Sequence, residues 1–308
     1  MRTLLTLLTM VALVLAGCQT TQENSPEPTP DQLLRKAYQS EATGQEREYY
    51  VYLPDGYDPN RSEAYPVIFF LHGNGERGNG KEDLDYVLVH GPMFEAWFRH
   101  RDLPFIMVAP QLPYFGRENN YAGRPKEIAI TRDPVKALPH PADYRANREL
   151  RGYAPADSLP ENFEDLPDGW SRCLTDLNNM LDTVLDEYNA DDDRVYLTGI
   201  SYGGFGTWYW ASQNPERFAA IAPIVGWGHP SLMEPIAKAQ LPTWVFIGGR
   251  DNVVEEKYFY PGLNALEEAG HHGPRVTIQA DMGHLAWLRV YGGSDLYDWF
   301  LQGSEFTP

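Results

Sequence analysis

Short, uninterrupted apolar runs alternate with helical patterns from about residue 46 onward. The candidate strands are 47–53, 66–71, 105–109, 194–198, 219–225, 243–247 and 275–279, and helical patterns fall at about 171–189, 203–213, 255–270 and 285–301. Continuous apolar strands are typical of parallel sheets that are covered on both faces. The alternation therefore predicts an α/β fold with a mostly parallel, doubly wound sheet flanked by helices. Ligands of such sheets bind outside the carboxyl ends of the strands, so functional residues are expected directly after each strand.

The composition supports one large core and excludes two classes of protein. The chain has 308 residues, 43% of them apolar and 13% aromatic, which is too much for a disordered chain. Its formal net charge is −18, whereas a nucleic-acid-binding protein needs a basic face to neutralise phosphates. We therefore predict a single domain over residues 46–302, followed by a short tail at 303–308, with no nucleic-acid partner.

The first 17 residues are predicted to be an export signal. One Arg precedes a leucine-rich stretch that is shorter than the ~20 apolar residues needed to span a bilayer. The stretch ends in Leu-Ala-Gly-Cys, which resembles the lipobox of bacterial lipoproteins; by that resemblance Cys18 carries the lipid and anchors the protein to a membrane, facing the periplasm or the cell surface. An ordinary signal peptide is the alternative. Residues 18–45 are polar and Pro-rich at first and are predicted to be a flexible tether. Cys173, in a helical pattern, is then left without a disulfide partner.

Ser201 is the candidate nucleophile. The predicted strand 194–198 runs directly into Gly199-Ile200-Ser201-Tyr202-Gly203, a G-x-S-x-G sequence followed by a helix. A sharp turn between strand and helix projects the serine hydroxyl and requires glycine neighbours. The alternative is a glycine-rich turn with an incidental serine.

His284 and Asp251 are the candidate base and acid. A serine hydroxyl needs a base to take its proton, and an acid must hold the base in the right tautomer. His284 follows the last predicted strand, whereas His271 and His272 form an exposed-looking pair in a turn. Asp251 follows the strand 243–247, whereas the competing Asp281 lies only three residues before the histidine and is expected to serve its own loop.

The backbone N–H groups of Tyr202 and of Asn74 or Gly73 are the candidate oxyanion donors. Acyl transfer places negative charge on the substrate carbonyl oxygen, and preorganised N–H groups stabilise it. Tyr202 follows the nucleophile, and the loop after strand 66–71 reads His-Gly-Asn-Gly-Glu-Arg-Gly. The alternative is a glycine-rich turn without a catalytic role. Phosphate binding is disfavoured because the P-loop pattern is absent.

Several stretches resemble one family: LHGNGERG at 71–78, VAPQ at 108–111, DRVYLTGISYGGFGTW at 193–208, FIGGRDNVV at 246–254 and MGHLAW at 282–287. They are similar to secreted α/β-hydrolase esterases, the group that includes polyhydroxybutyrate depolymerases, feruloyl and acetylxylan esterases and predicted peptidases. The order serine, aspartate, histidine is also that of α/β-hydrolases. The resemblance implies an α/β-hydrolase fold, a serine carboxylic-ester hydrolase with Ser201, Asp251 and His284 as its triad, and neither a metal nor an organic cofactor.

Residues 113–170 depart from that family pattern. Because they leave the carboxyl end of a strand, we expect a lid-like insertion that shapes the substrate site; surface decoration is the alternative. Six arginines of this segment stand out in an acidic protein, and they either bind an acidic substrate group or pair with nearby carboxylates: Arg117, Arg124, Arg132, Arg145, Arg148 and Arg151.

The sequence thus favours an exported, lipid-anchored serine esterase that acts on a small-molecule or polymer-derived ester through an acyl-enzyme. Trp227, after strand 219–225, is a candidate wall of the substrate pocket, with core packing as the alternative. Two other functions stay open. One is a serine peptidase of the prolyl oligopeptidase type, and the other is a non-catalytic surface lipoprotein that binds a ligand.

Overall fold

The computed structural model describes residues 29–125 and 169–302. The predicted signal, the predicted lipidation site Cys18, most of the insertion at 113–170 and the tail at 303–308 lie outside these residues. Within the two described ranges, no helix combines the length and the apolarity that crossing a membrane would need.

Eight strands form one sheet in the order β1-β2-β4-β3-β5-β6-β7-β8. The first two pairings, β1 with β2 and β2 with β4, are antiparallel, and all others are parallel. This confirms the predicted mostly parallel sheet. The strands are β1 Gln32–Gln39, β2 Glu46–Leu53, β3 Tyr65–Leu71, β4 Ile106–Pro110, β5 Ala190–Ile200, β6 Ala220–Ile224, β7 Trp244–Gly248 and β8 Arg275–Gln279.

Helices cover both faces of the sheet. They are α1 Leu174–Glu187, α2 Tyr202–Gln213, α3 Met233–Lys238, α4 Tyr260–Glu268, α5 Trp287–Gly292 and α6 Asp295–Leu301. Side chains of β3 alternate between two cores: Phe69 joins the cluster under α1 to α4, and Phe70 joins the cluster under α5 and α6. Burial on both faces explains why the central strands are apolar throughout.

Two sequence predictions need correction. The domain begins before residue 46, because Gln32–Gln39 of the predicted tether forms the edge strand β1, paired with β2 and carrying an Arg35–Glu48 ion pair of 2.6 Å. Its residues are only half-buried or exposed, so the strand lacks the apolar run that marked the others. The pattern at 285–301 forms two helices, not one, because the backbone turns to an extended conformation at Gly293.

Candidate active site

Ser201 occupies a sharp turn between β5 and α2. Its φ of 51° and ψ of −113° lie outside the regions that a serine ordinarily adopts, and its N–H donates to the carbonyl of Ile224 at 2.9 Å. The helix approaches the sheet so closely that a Cβ on Gly203 would lie 1.9 Å from the carbonyl oxygen of Leu71. A Cβ on Gly199 would lie 2.3 Å from the carbonyl oxygen of Gly203. Glycines are therefore required on both sides of the serine.

His284 connects Ser201 to Asp251 by hydrogen bonds. It opens a short 3-10 turn after β8, and its Nε2 lies 3.0 Å from the Ser201 Oγ while its Nδ1 lies 2.7 Å from the Asp251 Oδ2. Because a carboxylate only accepts, the Nδ1–H donates to Asp251, and Nε2 is left to accept the serine hydroxyl proton. The imidazole also packs edge-on against Trp287, with ring centroids 5.2 Å apart.

Asp251 is held rigidly in the turn after β7. Its side chain is fully buried, and its second oxygen, Oδ1, accepts from the backbone N–H groups of Val253 at 2.8 Å and Val254 at 2.9 Å. The competing Asp281 instead accepts two hydrogen bonds from the Arg289 guanidinium, at 2.7 and 2.8 Å. The structure thus brings Asp251 to the histidine and leaves Asp281 to its own loop.

The candidate oxyanion loop follows β3 beside the serine turn. A Cβ on Gly73 would lie 3.7 Å from the carbonyl oxygen of Ile200, which precedes the nucleophile, and Asn74 opens a 3-10 turn. Tyr202 is the first residue of α2, where helix N–H groups have no acceptor within the helix. The two predicted donor segments therefore border the same turn, and their role as oxyanion donors stays a prediction.

Two buried side chains fix this loop, and the sequence analysis assigned a role to neither. Arg77 donates to the Asn74 Oδ1 at 2.7 Å and to the Pro113 carbonyl at 2.8 Å, and its guanidinium lies 4.8 Å from the centroid of the Tyr202 ring. Burial lowers the pKa of Arg77. His72 accepts from the Leu112 N–H at 2.8 Å through its Nε2. Both side chains hold the loop against Leu112 and Pro113, which follow the end of β4.

Residues 113–125, the described first part of the insertion, contact that loop. Arg124 donates to the carbonyls of Gly75 at 2.7 Å and Arg77 at 2.6 Å, and it pairs with Asp83 at 3.2 Å. For Arg124 the structure therefore shows the expected alternative of pairing with a nearby carboxylate. Four of the six arginines singled out lie outside the described residues: Arg132, Arg145, Arg148 and Arg151.

Three apolar side chains lie in the loops that follow β6, β7 and β8. Trp227 is 3% exposed and packs edge-on against Phe205 in the core, so its role as a pocket wall stays a prediction. Val253 and Leu285, in the acid and base loops, are 65% and 51% exposed. The two loops are joined by a 2.9 Å hydrogen bond from the Arg250 N–H to the Met282 carbonyl. Each loop thus exposes one apolar side chain, within two residues of the acid or the base.

One group of candidate metal ligands lies away from this site. In the part of the chain that the structure describes, the one close group of candidate ligands is Asp191, Asp192 and Asp193. These residues lie near the start of β5, whereas Ser201 follows the end of that strand. The acidic group therefore has no contact with the hydrogen-bonded residues.

Two family models match the chain. The model of the prolyl oligopeptidase family matches residues 169–260, and a putative esterase model matches residues 40–151. The bifunctional acetylxylan esterase/xylanase XynS20E of Neocallimastix patriciarum is 39% identical over 125 residues, which is 40% of this chain and 17% of the relative. A probable acetylxylan esterase A of Aspergillus fumigatus is 31% identical over 101 residues, 33% of this chain and 27% of the relative. The chain thus spans less than a third of these curated relatives.

Solved structures match over most of the chain. A thermostable esterase superposes with a TM-score of 0.57 and 26% identity, over 88% of this chain and 62% of the other. A putative dienelactone hydrolase from Klebsiella pneumoniae superposes with a TM-score of 0.55 and 17% identity, over 89% of this chain and 100% of the other. The second likeness concerns the fold alone.

Proposed function

We propose that this protein, which has the α/β-hydrolase fold, is a serine carboxylic-ester hydrolase. One observation carries the proposal: Ser201, His284 and Asp251 form a continuous chain of hydrogen bonds, of 3.0 and 2.7 Å, at the carboxyl ends of three strands. The hydrogen bonds run in the direction that acyl transfer requires: the carboxylate of Asp251 accepts from His284, and His284 accepts from the hydroxyl of Ser201.

In the first half of the reaction, the Ser201 Oγ attacks the ester carbonyl carbon while His284 Nε2 takes the hydroxyl proton. The carbonyl electrons move to the oxygen, where the N–H groups of Tyr202 and of Asn74 or Gly73 stabilise the charge. Collapse of this intermediate breaks the bond to the alcohol oxygen, which takes the proton from His284. The acyl group then remains on Ser201.

In the second half, water repeats these steps on the acyl-enzyme. His284 takes a proton from water, the hydroxide oxygen bonds to the acyl carbon, and Ser201 leaves with the proton returned by His284. Asp251 stabilises the imidazolium in both halves without being protonated itself. The carboxylic acid is released and the free serine is restored.

The names of the relatives support an ester as substrate. The two curated relatives described above are named as acetylxylan esterases, and one of the superposed structures is named as an esterase. We therefore propose a small-molecule or polymer-derived ester, with acetyl groups on plant polysaccharide as the first class to test. The match of residues 169–260 to the prolyl oligopeptidase family keeps a peptidase as second candidate.

We also propose that the protein is exported and held at a membrane by a lipid on Cys18. The proposal rests on the leucine-rich start and the Leu-Ala-Gly-Cys sequence. Labelling of expressing bacteria with a palmitate analogue tests it: the full chain should take up the label, and Cys18→Ser should not. Label retained by Cys18→Ser would contradict the lipid anchor.

Hydrolysis of p-nitrophenyl esters from acetate to palmitate by residues 19–308 tests the esterase activity. We expect turnover that is lost in Ser201→Ala and kept in Ser212→Ala, a serine on the same helix that hydrogen-bonds the Tyr209 carbonyl. Peptide p-nitroanilides are the parallel substrates. Cleavage of the anilides alone would favour the peptidase, and activity that survives in Ser201→Ala would contradict both.

A further inference from the structure

Three buried polar atoms, in segments that border either Ser201 or His284, have no hydrogen-bond partner among the described residues. They are the Glu76 Oε2, the His90 Nδ1 and the Trp287 Nε1. A buried donor or acceptor without a partner destabilises the fold, so native proteins pair such atoms with protein, ordered water or ligand. Three of them beside one candidate active site require an explanation.

Glu76 lies on the oxyanion side of the site. Its Oε2 would be 3.1 Å from a Cβ on Gly73, whose other neighbour is Ile200, directly before the nucleophile. The nearest charged partner is the His72 Nδ1 at 3.7 Å, beyond hydrogen-bond distance. That Nδ1 instead lies 2.6 Å from the Gly73 carbonyl, to which it donates because the His72 Nε2 already accepts from a backbone N–H.

His90 and Trp287 lie on the side of the catalytic histidine. The His90 and Trp287 ring centroids are 5.4 Å apart, and the Trp287 ring is 5.2 Å from that of His284. One aromatic side chain thus contacts both the candidate base and a second, buried histidine. The unpaired indole N–H and imidazole Nδ1 are carried by this same pair of rings.

The three groups differ in hydrogen-bonding character. Burial raises the pKa of the Glu76 carboxyl, but the nearby imidazoles of His72 and His90 together lower it by more, so the pKa lies below its ordinary value and the group is an anionic acceptor at neutral pH. Burial lowers the pKa of His90, which is therefore neutral, and the Trp287 indole only donates. Glu76 and His90 lie close enough to interact electrostatically, and His90 packs against Trp287, so the three side chains share one neighbourhood. An acceptor and a donor in one neighbourhood match a hydroxyl group, which both donates and accepts.

We propose that Glu76, His90 and Trp287 form a hydroxyl-binding subsite that holds a free hydroxyl group adjacent to the scissile ester. The inference rests on the proposed esterase function and deepens it by assigning specificity to named side chains. The subsite also discriminates between substrates by charge, because the Glu76 carboxylate repels an anionic substrate group at this position. Esters of polyhydroxylated alcohols are thus favoured over esters of simple alkyl alcohols.

A pair of acetate esters of equal chain length tests the subsite. Glycerol 1-monoacetate offers hydroxyl groups beside the ester, and propyl acetate offers none. We expect the wild-type chain to prefer the hydroxylated ester about tenfold or more in kcat/KM, as one hydrogen bond to a charged group permits. Glu76→Gln should reduce this ratio about tenfold, because it removes the charge at nearly constant shape.

Two further variants separate recognition from folding. Trp287→Phe keeps an aromatic ring against His284 but removes the indole N–H, and it should lower the same ratio several-fold. Glu82→Gln makes the same substitution at an exposed position of the same loop region and should leave the ratio unchanged. If Glu76→Gln does not fold, Trp287→Phe carries the test.

Two results would overturn the subsite. One is a wild-type ratio near one; the other is a parallel loss on both esters in the Glu76 and Trp287 variants, which would mean that these atoms are satisfied by internal water alone. Failure of the proposed function would look different. In that case the wild-type chain would hydrolyse neither propyl acetate nor p-nitrophenyl acetate.

Discussion

Asp251→Asn is the most informative single change in the hydrogen-bonded chain. The native carboxylate accepts three hydrogen bonds, from the His284 Nδ1 at 2.7 Å and from the Val253 and Val254 N–H groups at 2.8 and 2.9 Å. An asparagine can still accept from the two backbone groups through its oxygen. Its NH2 group then faces the His284 Nδ1 and donates to it, which reverses the polarity of that bond.

The reversal has a calculable cost. His284 must then carry its proton on Nε2, where it donates to Ser201 and can no longer accept the hydroxyl proton. Loss of the correct tautomer in a triad of this kind lowers kcat about 10⁴-fold, or about 5.4 kcal/mol in the activation free energy. Stability should fall less, by about 1–3 kcal/mol, because one charged hydrogen-bond acceptor is lost in a buried site.

The assay is kcat on p-nitrophenyl acetate together with thermal unfolding, and Asp281→Asn is the matched control. Asp281 lies three residues before His284 in the sequence but pairs with Arg289. Its substitution should therefore leave kcat within about twofold while lowering stability. A folded Asp251→Asn that keeps a tenth of the wild-type kcat would refute the reasoning. An equal loss in both variants would refute the choice of acid.

Three further predictions concern the fold around the site. Gly203→Ala places a Cβ 1.9 Å from a backbone carbonyl oxygen and should destabilise the protein by about 3 kcal/mol or more in thermal unfolding, whereas Gly75→Ala meets nothing within 4 Å; equal melting temperatures would contradict this. Arg289 holds the pKa of the Asp281 carboxyl below its ordinary value, so the stability difference between wild type and Asp281→Asn should be present at pH 7 and be lost as the pH falls through that lowered pKa. Urea titrations at several pH values check this, and a difference that stays constant down to the most acidic pH would contradict it. Burial raises the pKa of the Cys173 thiol to about 12, so a thiol reagent at pH 8 should modify it only after unfolding, and rapid labelling of the native protein would be the contrary result.

Much of the sheet could be predicted because its central strands are buried on both faces. The strand expected at 275–279 is found as Arg275–Gln279. The strand expected at 66–71 begins one residue earlier, at Tyr65, and the strand expected at 243–247 is shifted by one residue, to Trp244–Gly248. Edge strand β1 could not be found in this way, since its residues alternate between partial burial and exposure. It pairs with its neighbour in the chain, β2, across the connection at 40–45, so the missing signal was an apolar run and not the distance along the chain.

The candidate triad could also be placed from sequence, because the rule that ligands bind at strand ends converts positions along the chain into positions in space. Asp251 and Asp281 both follow strand ends, and Asp251 is favoured because Asp281 lies only three residues before His284. The structure places the Asp251 Oδ2 2.7 Å from the His284 Nδ1, and the role of Asp251 as the catalytic acid stays a prediction. No such rule predicts that Glu76, His90 and Trp287 belong to the site. They come from three separate segments whose proximity depends on how loops cross the sheet edge, and only the structure shows which of their atoms lack partners.

Labelling with a fluorophosphonate probe, followed by mass analysis of the modified peptide, tests the central claim most directly. The probe forms a covalent bond only with a serine that an adjacent base activates, and Ser201 is the serine that lies 3.0 Å from the His284 Nε2. We expect one adduct on Ser201, lost in Ser201→Ala and strongly slowed in Asp251→Asn. A folded protein that stays unlabelled, or that carries the adduct on another serine, would contradict it.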